Sequence, residues 1–317
     1  MHTETAAQLF CRLGWKKCLN GIDNKLFAHL KEPIQARDTI ELSGEEGSGK
    51  TELTLHIIIR CILPDVWNGS VVGGLSVSVI VVDTEMKFPM LRLISVLEQR
   101  LIVASEDQAS SSNEPSSSNV HAKSSKNEHS MADTESFIKD CLQRLHLVTC
   151  DSSLQLLMTL HALEPLMNSN PEICVLVVDS ISNYFWTDKL TGGESRGKQE
   201  EKLRTICETL QRLIDDYHLV LVMTNLEIFT SQQKYKVDNE EGCNDSSNKI
   251  VQTKDKDYLC PAYKQLVKYK LKIMRESNLT VTGDAGSAYF SATVRSSSKK
   301  TNENVMFTIS DGGVEFL

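Results

Sequence analysis

No apolar run in this chain approaches the length of a membrane span. The densest, Ile173 to Val178, is only long enough for a buried strand. The opening residues, Met1-His2-Thr3-Glu4-Thr5, have neither a basic leader nor an apolar core, so no secretory signal is expected there. Nine cysteines are scattered at irregular spacings without a C-x-x-C pair, which argues against a disulfide framework or a zinc site and for reduced thiols in an intracellular setting. Eight histidines are equally dispersed. Basic excess is missing too: the formal net charge is −8 over 317 residues, so the overall field would not hold the chain on nucleic acid, and any such contact has to be local.

What is present is an ordinary globular composition, 40% hydrophobic and 24% charged, around one specific stretch. Ser43-Gly44-Glu45-Glu46-Gly47-Ser48-Gly49-Lys50-Thr51 reads G-x-x-x-x-G-K-T. Asp38 to Leu42 before it reads as a short buried strand. Glu52 to Leu63 after it reads as a helix stopped by Pro64. In that context the motif is a phosphate loop. Its glycines let backbone N–H groups turn inward, and the helix N-terminus adds positive potential. Gly44, Glu45, Glu46, Gly47, Ser48, Gly49, Lys50 and Thr51 are therefore the candidate nucleotide-binding residues. Lys50 would reach the terminal phosphates and the Thr51 hydroxyl would ligate Mg2+, which makes ATP and Mg2+ the expected cofactors.

Along the rest of the chain, strand-like and helix-like segments alternate. Residues 1–37 form a short lead-in, too short for a domain of its own. Residues 38–317 form the core. Val77 to Val82 ends in Asp83-Thr84-Glu85, and Cys174 to Val178 ends in Asp179, as buried parallel strands that carry acids at their carboxyl ends do. Asp179, after four apolar residues, reads as a second magnesium residue beside Thr51. Glu85 reads as a catalytic carboxylate that orients water, and from spacing alone equally as a solvated turn residue. Residues 104–133 are rich in Ser, Asn, Glu and Lys and read as a disordered insertion. Residues 230–257 read as a mobile loop. From Leu266 on the period shortens to two, with Lys268, Lys270 and Lys272 on one strand face, where they would contact phosphates or guard an exposed sheet edge. The expected fold is α/β: a P-loop core with a mainly parallel sheet flanked by helices and an antiparallel C-terminal edge.

These segments resemble RecA-type recombinases. Val82-Asp83-Thr84-Glu85, Val177-Val178-Asp179-Ser180 and Val222-Met223-Thr224-Asn225 follow that core in order and spacing, and Val305 to Val314 is similar to the closing strand and turn of its eukaryotic members. Arg60-Cys61-Ile62-Leu63-Pro64, Met90-Leu91-Arg92-Leu93, Gly192-Gly193-Glu194-Ser195 and Gly313-Val314-Glu315-Phe316 are similar to a recombinase paralogue in particular. The resemblance implies a RecA-like fold and a nuclear protein of homologous recombination repair. It would act with other recombinase paralogues in a complex that assists filament assembly on single-stranded or branched DNA. It also implies that Arg92 lies against the adenine face, and that Thr191 to Lys198 and residues 230–257 are DNA-facing loops. Recombinases carry a phosphate-sensing glutamine where this chain has Leu226, and an apolar side chain cannot relay a hydrogen bond. The implied activity is therefore nucleotide binding with weak or no DNA-dependent ATPase. A DNA-stimulated ATPase and a P-loop small-molecule kinase are the enzymatic alternatives, and a scaffold with a purely structural loop is the third.

Overall fold

A computed structural model describes residues 22–28, 30, 32–111, 123–191, 196–227, 259–276, 288–297 and 299–317, together with Ala6 and Leu9. Among the described residues, β1 (Thr39–Gly44) leads through the phosphate loop into helix α1 (Lys50–Ile62). A two-residue hairpin follows, β2 (Val66–Trp67) and β3 (Ser70–Val71). Its corner is Asn68-Gly69, both at positive φ, the conformation a tight hairpin turn needs. Then come β4 (Ser78–Asp83), α2 (Met90–Ser111), α3 (Lys123–Leu142), β5 (Leu145–Thr149), α4 (Ser153–Ala162), α5 (Glu164–Ser169) and β6 (Ile173–Asp179). The second half contains α6 (Phe185–Thr191), α7 (Arg196–Tyr217), β7 (Val220–Leu226), α8 (Pro261–Leu266), β8 (Tyr269–Glu276), β9 (Tyr289–Ser296), β10 (Lys299–Ser310) and β11 (Gly313–Phe316).

The strands form one nine-stranded sheet in the order β11-β10-β9-β8-β1-β7-β6-β4-β5. From β8 to β5 every pairing is parallel; from β8 to β11 every pairing is antiparallel. Strands buried on both faces must be apolar throughout, and β4 and β6 are: Val79 to Val82 and Ile173 to Val178 are all buried. One face packs α1, α2, α3 and residues Ile22, Leu26, Phe27 and Ile34 of the lead-in. The other packs α4, α5, α7 and α8. The lead-in thus contributes core, each fully buried aliphatic side chain worth about 1.5–3 kcal/mol. It is tied there by Asp23, whose carboxylate meets His56 of α1 at 2.7 Å.

Three expectations are modified. Composition argued for disorder across 104–133, yet α2 runs on to Ser111 and α3 begins at Lys123, so helical backbone enters the stretch from both sides; residues 112–122 lie outside the described set. A polar helix without an apolar face carries no hydropathy signal. Arg196 to Lys198, read as glycine loop, opens α7; residues 192–195 and 230–257 lie outside the described residues. The lysine strand is not an edge: β8 pairs with β1 on one side and β9 on the other. Its lysines meet acids. Lys268 pairs with Asp38, Lys270 with Glu41 at 3.3 Å and Lys272 with Glu227 at 3.1 Å.

Candidate nucleotide site

The parallel part of the sheet brings the carboxyl ends of β1, β4, β6 and β7 to one rim. The loop after β1 is shaped by Gly47 at φ 74° and Gly49 at φ 96°, conformations that a side chain would strain. Gly44 is fixed by crowding instead: a Cβ there would stand 2.4 Å from the Ile273 carbonyl oxygen and 2.7 Å from Ser48 Oγ. Gly49 caps α1 without a side-chain hydrogen bond, so no side chain fills the helix's first N–H groups. Ser48 Oγ is buried and has no hydrogen-bond partner among the described residues, a polar atom that a phosphate oxygen would satisfy.

Lys50 Nζ donates to the carbonyl oxygens of Gly44 at 2.8 Å and Glu45 at 2.6 Å. Partial burial pulls its ammonium below the usual lysine range, while Asp179, Glu85, Glu227 and Glu46 act in the opposite sense. Those carboxylates come from the ends of β6, β4 and β7 and from the loop itself, so the topology gathers the predicted groups around one amine. Thr51, the next residue, is exposed at the first turn of α1.

Asp179 Oδ1 accepts from the Thr224 hydroxyl of β7. Burial raises the Asp179 carboxyl above its ordinary range, and neighbouring Asp83 adds to the shift. Glu85 is exposed, and its carboxyl is raised by partial burial and by Asp179. What places Glu85 is Asp83, a residue to which the sequence reading gave no role. Its Oδ1 accepts from the Glu85 N–H at 3.0 Å and its Oδ2 from the Phe88 N–H at 2.8 Å, which holds the turn after β4. Thr84 joins this turn to β6: its hydroxyl donates to the Ser180 carbonyl at 2.8 Å and accepts from the Ser180 N–H at 2.8 Å. Asn183 Nδ2 donates to the Thr84 carbonyl at 2.6 Å, and the Tyr184 hydroxyl donates to the Cys150 carbonyl at 2.6 Å. A Thr-Glu pair at a strand end with Asn-Tyr beyond the next acid is the pattern that could have revealed this clamp.

Arg92, on α2, is drawn into the frame of the site. Its guanidinium forks onto Glu52 of α1, with Nε 3.0 Å from Oε1, and donates to the carbonyls of Ser310 at 2.6 Å and Asp311 at 3.0 Å. It stitches α1, α2 and the β10–β11 turn beside the loop. Leu226, at the end of β7, is exposed, and its N–H donates to Ser182 Oγ at 3.1 Å.

A loop of inward-turning N–H groups, one lysine, a hydroxyl at the helix start and a strand-end carboxylate suit a polyphosphate chain with a divalent cation. No cluster of three or more His, Cys, Asp or Glu that could hold a metal occurs among the described residues. An ionised Asp179 is therefore a stability cost in the free chain. Its folded pKa lies above the unfolded value, so the cost is present at neutral pH and fades as pH falls through the raised value. Asp179→Asn, which keeps the acceptor for Thr224, should raise the melting temperature at neutral pH by about 2 °C. The gain should shrink in mildly acid buffer, as thermal melts across pH would register.

Comparison with known sequences bears on the family. The Rad51 family profile matches residues 128–242. DNA repair protein XRCC2 of Mus musculus is 34% identical over 322 aligned positions, covering 99% of this chain and 97% of its own length. The XRCC2 homolog of Arabidopsis thaliana is 28% identical over 78% of this chain and 71% of its own length. The DNA repair and recombination protein RadA of the archaeon Methanoculleus marisnigri is 26% identical over 61% of this chain and half of its own.

Proposed function

This chain belongs to the Rad51 family of RecA-type recombinases, as a paralogue of the XRCC2 kind, and on that premise we propose that it is a nucleotide-binding assembly protein of homologous recombination repair. The observation that carries the nucleotide part is the convergence of three strand ends on Lys50, with Asp179, Glu85 and the Gly44–Thr51 loop around one amine. In this reading Gly44 to Gly49 cup phosphate oxygens through their N–H groups and Lys50 holds the terminal phosphates. Thr51 and Asp179 hold Mg2+, and Arg92 and its β10–β11 contacts form the wall on the base side. ATP held by these residues would supply negative charge to the rim of the sheet.

These relatives are DNA repair proteins. For this chain we extend that to a nuclear role with other recombinase paralogues, in a hetero-oligomer that supports recombinase filaments on single-stranded DNA. The net charge of −8 supports contact with DNA through the complex rather than by this chain alone. No described helix is long and apolar enough to cross a membrane. A DNA-stimulated ATPase is the second reading, favoured by Glu85 standing near Asp179 and Lys50.

The two readings separate on turnover. The purified chain, alone and with a partner paralogue, is expected to bind Mg-ATP and to hydrolyse it slowly, with single-stranded DNA raising the rate less than about tenfold. That ceiling corresponds to about 1.4 kcal/mol of barrier. A much larger stimulation in the isolated chain would overturn the assembly reading in favour of the enzyme.

A further inference from the structure

One acid at the rim has no role in the reading above. Glu227 follows β7 directly. Its N–H donates to the Gly44 carbonyl at 3.2 Å, which pins it to the first residue of the phosphate loop. Its side chain is 14% exposed and its Oε2 lies 3.1 Å from Lys272 Nζ, itself 18% exposed. Lys272 stands on β8 beside Ser43. Glu227 and Lys272 thus reach the loop from the two strands that flank β1, and the Glu227 carboxylate also acts on Lys50.

The charges around Lys50 can be sorted. Asp179 would be offset by a divalent cation, and Glu85 is partly offset by Lys87. Glu46 is exposed, where water and salt screen it. Glu227 is the carboxylate that is both shielded from water and held at the loop, and it is ion-paired with Lys272. A nucleoside triphosphate brings an additional negative group to the region that the loop lysine reaches. A shielded carboxylate held at the loop repels that group, and a neighbouring cation relieves the repulsion.

We infer that Glu227 and Lys272 form an opposed pair that sets the preference of the loop between nucleoside diphosphate and triphosphate, Glu227 disfavouring the third phosphate and Lys272 limiting that penalty. The inference rests on the nucleotide-binding reading of the Gly44–Thr51 loop. Its signature is a change in selectivity of opposite sign at two residues already in contact with each other.

The test is titration of fluorescently labelled ADP and ATP with Mg2+ into the full chain and two near-isosteric variants. Glu227→Gln should lower the ratio of Kd for ATP to Kd for ADP by about tenfold, the size expected of removing one poorly screened charge held at the loop. Lys272→Gln should raise the same ratio by a comparable factor, because it removes the cation paired with Glu227. Damage to the fold would weaken both nucleotides together and leave the ratio alone, so the ratio separates selectivity from stability. Unchanged ratios, or ratios moving the same way in both variants, overturn the pair while the nucleotide reading stands. Absence of binding of either nucleotide to the wild-type chain and to both variants overturns the two readings together.

Discussion

Asp23→Ala is expected to remove about 3–5 kcal/mol of folding stability, a large share of the total for a domain, read as a lower midpoint in a urea melt. The carboxylate is 5% exposed and accepts four contacts. The N–H groups of Lys25 and Leu26 donate to Oδ1 at 2.8 Å each, His56 Nε2 donates to Oδ2 at 2.7 Å, and Arg60 Nε lies 3.9 Å from Oδ2. On its other side the His56 ring is 2.9 Å from Arg100 Nη2. A guanidinium only donates, so Nδ1 accepts and the proton sits on Nε2, facing Asp23. Burial by itself would raise the Asp23 carboxyl, but the His56 hydrogen bond, the Leu26 N–H and the Arg60 cation outweigh it and hold the carboxyl below its ordinary value. The alanine variant strands a buried imidazole and leaves two arginines without that counter-charge. Because the folded pKa is depressed, the contribution is complete above the unfolded carboxylate pKa and is lost as pH falls through the folded one. The charge-dependent part of the wild-type advantage should therefore be lost only in strong acid. Asp23→Asn, which keeps the acceptor and loses the charge, should cost less. A melt unchanged in Asp23→Ala would mean that the lead-in is not anchored by this residue.

Lys50→Ala should weaken Mg-ATP binding by at least about 100-fold, or about 2.7 kcal/mol, as measured by calorimetry. Four carboxylates act on this amine, Asp179, Glu85, Glu227 and Glu46, and without it they would repel the phosphate chain. The fold should survive, since the ammonium's contacts are the loop carbonyls of Gly44 and Glu45. That makes the variant a clean probe of what the nucleotide is for. Loss of partner capture together with nucleotide would give the ligand an architectural role. Retained capture would leave the loop dispensable for assembly. Wild-type affinity in the variant would refute the assignment of this loop.

How much of this was legible beforehand depended on the range of each interaction. The phosphate loop is local, and its glycine spacing with the flanking strand and helix could be read directly. The acids at the ends of β4 and β6 were legible because buried parallel strands leave continuous apolar runs with polar ends. The antiparallel edge showed through its period of two. That period, however, gives a face and not a neighbour. It grouped Lys268, Lys270 and Lys272 but could not say that Asp38, Glu41 and Glu227 face them, since the strand order was unknown. Asp23 and His56 are joined only by the tertiary fold. Asp83 looked like one more strand-end acid until its two hydrogen bonds were seen to hold the Glu85 turn. Glu227 was the nearest miss: it follows a buried strand at the same rim as Asp179, and that position was the available signal. In 104–133, low hydropathy was read as disorder although helical backbone enters it from both ends.

The position of β1 has a consequence for how the protein is made. It is the earliest strand of the sheet in the chain, yet it lies in the interior, with Thr39 beside Leu221 and Ile40 beside Tyr269. Contacts of such sequence separation form late, and the topology is intrinsically slow to fold. During synthesis the loop-bearing strand therefore emerges long before either neighbour exists. A message cut short before Tyr269 would leave the β8 side of β1 open, with Ile40 and Leu42 on an unpaired edge of the kind that recruits other chains. Truncations that remove β8 should for this reason yield insoluble product rather than a shortened protein that still holds its ligand.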